Sequence, residues 1–230
     1  MPNRTRNPAR PSLAPLIVGL CGGVGSGKSA VAQLLAGHGA RVLDADAAAQ
    51  AVLEDDDVKA ALVDRFGPDV LDDARIDRSE VARRVFGPEG APLKEWLQDL
   101  LHPRVREQLG AELVAAQNEA SPPWCVVLDV PLLIEGPTQD WCDRIVFVDA
   151  SAEDRRERTV EDRGWSTDEL ARREAAQASL EDKRVRADHV VVNRGTIGDL
   201  EDAVQQLVHA LRSQGRMGAE DPDGPRRGGS

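Results

Sequence analysis

The chain has 230 residues and a formal net charge of −11, with 29 Lys and Arg set against 40 Asp and Glu. That balance argues against a general nucleic-acid binder, because affinity for a phosphate backbone needs clustered basic residues. No apolar run approaches the length of a membrane span. Tyrosine is absent and aromatics make up only 3%, so the core must be built mainly from Val, Leu and Ala.

The first residues carry Arg4, Arg6 and Arg10 with no acidic residue. Pro2, Pro8, Pro11 and Pro15 oppose the amphipathic helix of a transit peptide, and residues 1–14 read as a disordered tail. Residues 213–230, which include GRMGAEDPDGPRRGGS, read as a second tail. The folded part is expected over 15–212. Cys21, Cys125 and Cys142 lie far apart and form no C-x-x-C pair, as expected of reduced, packed thiols in a cytosolic protein.

Leu16 to Cys21 is a short apolar run that predicts a buried strand. It leads into GGVGSGKS, Gly22 to Ser29, which fits G-x-x-x-x-G-K-[ST]. The spacing of Ala30 to Leu35 predicts a helix directly after it. A strand-to-helix loop of this kind turns backbone N–H groups inward around a phosphate, where side chains would obstruct the approach. The start of the helix adds the positive end of its dipole. Lys28 is expected to reach the β- and γ-phosphates, and the Ser29 hydroxyl to ligate Mg²⁺.

Arg41 to Asp44 predicts a second strand, running into Asp44-Ala45-Asp46. Two residues apart on an extended segment, the two carboxylates would point the same way. Asp46 is the candidate base or orienting group for an acceptor hydroxyl, with Asp44 its rival; one of the two could instead cap the next helix. From 46 to about 121 the pattern is helical with no convincing strand. Helices are expected over 47–53, 58–66 and 77–86, then over 91–101, with His102-Pro103 interrupting before another helix runs to about Asn118. So many helical residues between parallel strands predict an inserted subdomain.

Strands return at Trp124 to Asp129 and at Arg144 to Asp149. Asp129 ends an apolar strand, the placement of a carboxylate that holds the water shell of a magnesium ion. Residues 151–187 are charged and helical, with Arg155, Arg156, Arg158, Arg163, Arg172, Arg173, Lys183, Arg184 and Arg186. Most are expected on a solvated, salt-bridged surface. Small kinases also close a helical lid whose arginines neutralise the transferring phosphoryl group, and Arg163 is the candidate best placed to move. His102 could equally touch substrate or orient helices. A last strand at His189 to Asn193 and a helix over 200–211 close the chain. Asn193, in the turn after that strand, is a candidate for adenine-side contact. The alternation predicts an α/β fold, a five-stranded parallel sheet with helices on both faces. Its core segments are 15–45, 122–150 and 188–212.

Five stretches together resemble the dephospho-coenzyme A kinase family, a family of P-loop small-molecule kinases. They are GLCGGVGSGKS (Gly19–Ser29), VLDAD (Val42–Asp46), LLHPRVR (Leu100–Arg106), LDVPLLIE (Leu128–Glu135), and RTVEDRG, RREAAQ, EDKR and ADHVVVN within Arg158–Asn193. The P-loop alone is shared with a vast superfamily; the DVPLL-E stretch and the His-Pro after a Leu-rich helix are more specific. The resemblance implies transfer of the ATP γ-phosphate to the ribose 3′-hydroxyl of dephospho-CoA, the last step of coenzyme A biosynthesis, with Mg²⁺ as cofactor. It implies that Gly23, Val24, Gly25, Ser26, Gly27, Lys28, Ser29 and Ala30 hold ATP. Asp46 would be the catalytic Asp. His102, Asp129, Pro131 and Leu132 would lie by the acceptor, and Arg158, Arg163 and Arg173 in the lid over 151–187.

Three positions depart from the family pattern. Ala30 stands where Thr is common, Gln50 where Arg or His is usual, and Glu174 where an apolar residue is usual in the lid. The expected partners are the small-molecule substrates alone, with no nucleic acid and no membrane, for a cytoplasmic monomer. A kinase for a nucleotide or another small metabolite is the second reading. A nucleotide-dependent switch is the third, and it lacks an N-K-x-D motif.

Overall fold

A computed structural model describes residues 14–85, 90–160, 164, 166–175 and 177–216. The chain divides into two compact units, Met1–Val42 with Ala116–Ser230, and Leu43–Ala115. The two expected tails lie outside the described residues, apart from 14 and 213–216.

A five-stranded sheet is built from β1 (Leu16–Gly22), β2 (Arg41–Asp44), β5 (Cys125–Asp129), β6 (Arg144–Asp149) and β7 (His189–Val192), in the order β2-β5-β1-β6-β7. Strand β1 pairs in parallel with β5 and β6, and β6 with β7. Alternate residues of a strand face opposite sides. Val18 and Leu20 of β1, Val127 of β5, Val146 of β6 and Val191 of β7 pack with α1 (Lys28–Gly37) and α9 (Ile197–Arg216). On α1 the buried stripe is Val31, Ala32 and Leu35. On α9 it is Leu200, Val204, Leu207, Val208 and Leu211. Helix α9 continues to Arg216, beyond the expected end at residue 212.

The N-terminal ends of the inner strands β1 and β6 are pinned by carboxylates at loop positions. Asp143 Oδ2 accepts from Ile17 N at 2.8 Å, and Asp188 Oδ2 accepts from Ile145 N at 2.7 Å. Arg212 stacks 4.6 Å from the Trp124 ring, and both side chains donate to the His38 carbonyl. These contacts tie the end of α1 to α9 and to the entry of β5.

The second unit holds α2 (Ala45–Val52), which begins within a segment expected to be extended, α3 (Asp56–Phe66), α4 (Arg78–Val85) and most of α5 (Gly90–Gln117). Its core is Val52, Val58, Leu62, Val70, Ile76, Val81 and Val85, with Trp96, Leu97 and Leu100 against it. Asp77 opens α4 as a cap, accepting from Ser79 N and Glu80 N. Two expectations are corrected here. A small antiparallel hairpin, β3 (Leu71–Asp72) and β4 (Arg75–Ile76), occurs where no strand was expected. Its turn residues Asp73 and Ala74 both have positive φ, 43° and 64°, as a two-residue hairpin turn requires.

The other correction is that His102-Pro103 does not divide two helices. Pro103 lies inside one 28-residue helix. A proline removes one hydrogen-bond donor from the ladder. Close to this defect, the Arg104 side chain donates to the Leu100 carbonyl at 2.8 Å and pairs with Asp57, which anchors the helix to α3.

Candidate active site

The P-loop leaves β1 at Gly22 and enters α1 at Lys28. Gly25 (φ +74°) and Gly27 (φ +88°) take left-handed conformations that side chains resist. A Cβ on Gly25 would lie 2.6 Å from the Arg155 carbonyl, and one on Gly27 would lie 2.3 Å from Asn193 Nδ2. The loop is therefore packed tightly from behind. The N-cap of α1 is Gly27, which has no side chain to cap the first turn. Lys28 Nζ donates to Gly23 O at 3.2 Å, folding the ammonium back over the loop. Val24 and Ser26 are buried, while Ser29 is exposed.

Ser29 Oγ donates to Asp129 Oδ2 at 2.8 Å. Asp129 ends a strand that is buried throughout and is itself only 9% exposed. Two hard oxygen donors are thus brought side by side from motifs one hundred residues apart. Pro131 and Leu132, in the turn that follows, are exposed, while Leu133 and Ile134 anchor it in the core.

Asn193 braces the loop from the end of β7. Its Nδ2 donates to Ser26 O at 2.8 Å, its backbone N donates to Asp149 O, and its carbonyl accepts from Arg158 Nη2 at 3.4 Å. Among the described residues, the buried polar side-chain atoms without a partner include Ser26 Oγ, Arg155 Nε and Arg158 Nη1, all beside the P-loop. Buried donors of this kind ordinarily find partners. Arg158 Nη1 would lie 3.7 Å from a Cβ on Gly27, so this nitrogen borders the loop.

Among the described residues, the segment after β6 holds three helices, α6 (Ala152–Val160), α7 (Thr167–Ala175) and α8 (Leu180–Arg186). Arg173 is exposed on α7. Arg163 lies outside the described residues. Two of the basic residues are exceptions to the mostly solvated surface. Arg155 is 8% exposed and Lys183 is 1% exposed. The Arg155 guanidinium lies behind the P-loop and forms an ion pair with Glu174. The departure at Glu174 thus has a partner, and it packs there as a charge. Lys183 meets Gln177, Glu135 and the Gly22 carbonyl. Arg155, Glu135, Gln177 and Lys183 were not singled out from the sequence. The available signal was that Glu135, Gln177 and Lys183 each lie in a quoted stretch, LDVPLLIE, RREAAQ or EDKR.

In the other unit, Asp44 is the N-cap of α2. Its Oδ1 accepts from Asp46 N at 2.8 Å and from Ala47 N at 3.4 Å. Asp46 sits in the first helical turn and is exposed. The two carboxylates therefore do not share one extended face, contrary to expectation, and the capping role falls to Asp44. His102 is exposed on α5. Among the described residues no cluster of three His, Cys, Asp or Glu could hold a metal, and no helix is long and apolar enough to cross a membrane. Cys21, Cys125 and Cys142 are buried thiols, and burial pushes Cys125 up to about 12.

The family model for dephospho-CoA kinase matches residues 16–199. A dephospho-CoA kinase of Thermobifida fusca is 40% identical over 199 residues, spanning 86% of this chain and 96% of that protein. A crystal structure of a Thermus thermophilus protein superposes with a TM-score of 0.66 at 37% identity, covering 86% of this chain and 98% of that one. The dephospho-CoA kinase of Campylobacter jejuni, at 18% identity and a TM-score of 0.62, shares the fold, with 85% and 96% of the two chains covered.

Proposed function

The chain belongs to the dephospho-CoA kinase family, and from that premise we propose that it transfers the γ-phosphoryl group of ATP to the ribose 3′-hydroxyl of dephospho-CoA, giving coenzyme A and ADP. The observation that carries this reading is the P-loop with Ser29 hydrogen-bonded to Asp129 at 2.8 Å.

Phosphoryl transfer asks for positioning and charge neutralisation more than for covalent help. The backbone from Gly23 to Ala30 holds the triphosphate, and Lys28 follows the β- and γ-phosphates through the transition state. Arg158, with one nitrogen buried and unpartnered, is suited to the donor phosphates. Arg163 and Arg173 are assigned to the lid. Asn193 supports the donor side by fixing the Ser26 carbonyl.

Ser29 and Asp129 fit a magnesium ion, which prefers hard oxygen ligands and keeps several waters. Bound there, Mg²⁺ would neutralise charge on the phosphate oxygens. Asp46 is assigned to accept or orient the acceptor hydroxyl proton; its rival Asp44 is occupied as a cap. His102, Pro131 and Leu132, with Asp129, are assigned to the acceptor side. The substrates are small molecules, and the buried thiols suit a reducing compartment such as the cytoplasm. We take the protein as a monomer.

The test follows a γ-labelled phosphoryl group. The label should enter a stable, thiol-bearing product, one for each ADP released. Label found only in inorganic phosphate would make the protein a hydrolytic NTPase and defeat the proposal.

A further inference from the structure

Lys183 is the largest fully buried side chain in the described structure, and it carries a charge. An ammonium taken out of water is costly unless each of its three donors finds an acceptor. Here three acceptors surround it. Nζ lies 2.7 Å from Gln177 Oε1, 3.2 Å from Glu135 Oε1 and 3.4 Å from the Gly22 carbonyl. The same Glu135 oxygen accepts from Ala178 N at 2.7 Å.

These partners come from three separate places. Gly22 begins the P-loop, Glu135 lies in the turn after Asp129, and Gln177 and Ala178 link α7 to α8. An apolar side chain of the same volume would fill this space at lower cost. What an apolar side chain cannot do is fix the register of three loops through directed hydrogen bonds.

We propose that Lys183 is a positioning residue for phosphoryl transfer. It sets the entry of the P-loop against the turn that follows Asp129, and it anchors the α7–α8 link to both. Lys183 acts through Gly22 and Glu135 and touches no substrate. Transfer is sensitive to its loss because a displacement of about 1 Å at reacting groups can cost roughly a hundredfold in rate.

The inference rests on the kinase reading, and the experiment separates the two. Lys183→Met keeps an unbranched side chain only one atom shorter and removes its charge. Glu135→Gln keeps shape and acceptor while removing the opposite charge. Each variant is compared with wild type for its thermal melt, binding of a fluorescent ATP analogue, kcat and KM with dephospho-CoA, and slow ATP hydrolysis without acceptor.

The expected result is a cooperative melt and analogue affinity within about threefold, with kcat lower by roughly thirty- to a hundredfold for Lys183→Met. Glu135→Gln should move kcat in the same direction by about tenfold. A folded Lys183→Met protein with kcat within about threefold of wild type overturns the proposal. So does a loss of kcat that only follows a loss of folded protein. Should Lys183→Met not fold, Glu135→Gln decides, and unchanged kcat there overturns the proposal. Wild type inert towards dephospho-CoA would bring down the kinase reading instead. The hydrolysis rates would then carry the comparison, with equal rates in wild type and variant counting against Lys183.

Discussion

Ser29 and Asp129, from two different elements, share a hydrogen bond of 2.8 Å. The hydroxyl comes from the first turn of α1 and the carboxylate from the last residue of β5. Asp129→Asn preserves the shape and an acceptor but removes the charge. Turnover should fall on the order of a hundredfold, as for other single charge-stabilising groups. The Mg²⁺ concentration for half-maximal rate should rise. A magnesium titration of both proteins checks this, and superimposable curves would remove Asp129 from the metal site.

The two aspartates at the start of α2 should separate cleanly. Asp44 caps two backbone N–H groups, so Asp44→Ala should lower stability by about 0.5–2 kcal/mol. Its turnover at a permissive temperature should change little. Asp46→Asn should leave stability and ATP binding near wild type and reduce turnover by about a hundred- to ten-thousand-fold, the usual range for a lost general base. Denaturation curves and steady-state rates on both variants decide it. A crippling Asp44 change beside a mild Asp46 change would reverse the assignment.

Gly25 faces two separate obstacles to substitution. Its φ is +74°, and a Cβ would sit 2.6 Å from the Arg155 carbonyl. The left-handed conformation alone costs roughly 1–2 kcal/mol for a residue with a side chain. The contact is with backbone, which cannot rotate away. Gly25→Ala should therefore lower the melting temperature and weaken ATP binding together. Calorimetry with and without ATP reads both effects.

The helical unit should show a weak acid limb that depends on Glu80. Hydrogen bonds from Arg83, then Arg84, hold this carboxyl at about 2, down from 4.5. A lowered folded-state value means that the stabilisation is fully present above about pH 4.5. It is lost as the pH falls from 4.5 towards 2. Glu80→Gln should be the less stable protein near pH 6 and should converge with wild type near pH 2. Glu80 is half-buried, but its first partner Arg83 is 71% exposed, so the difference should be small and should shrink with salt. Urea midpoints across that range, at two ionic strengths, measure it.

The placement of the P-loop between β1 and α1, and of Asp129 at the end of β5, was legible in the chain because its signals are local. The P-loop fixes its residues by spacing, and Asp129 is marked by the apolar run before it. The sequence put Asp46 ahead of Asp44 as the functional carboxylate, but either residue could cap, and only the hydrogen bonds assign the cap to Asp44. The charged segment over 151–187 was harder to read for a physical reason. In α8 the buried residue is Lys183, while Val185 is 71% exposed, so a reading from hydrophobic periodicity is inverted. Arg155 and Glu174 pair between two helices, and no spacing rule reports that. The β3–β4 hairpin has two residues per strand, too few to show an alternation. Pro103 signals a break, yet α5 continues through it.

The most direct measurement offers Mg-ATP with dephospho-CoA, AMP or shikimate in turn, and follows ADP release and product mass. Dephospho-CoA should be phosphorylated, and proton–phosphorus coupling in its product should place the new phosphate on the ribose 3′-oxygen. AMP, which lacks the remote part of the acceptor, should lose turnover as well as affinity, because binding energy away from the reacting hydroxyl helps to orient it. Robust phosphorylation of AMP or shikimate with dephospho-CoA inert would contradict the account.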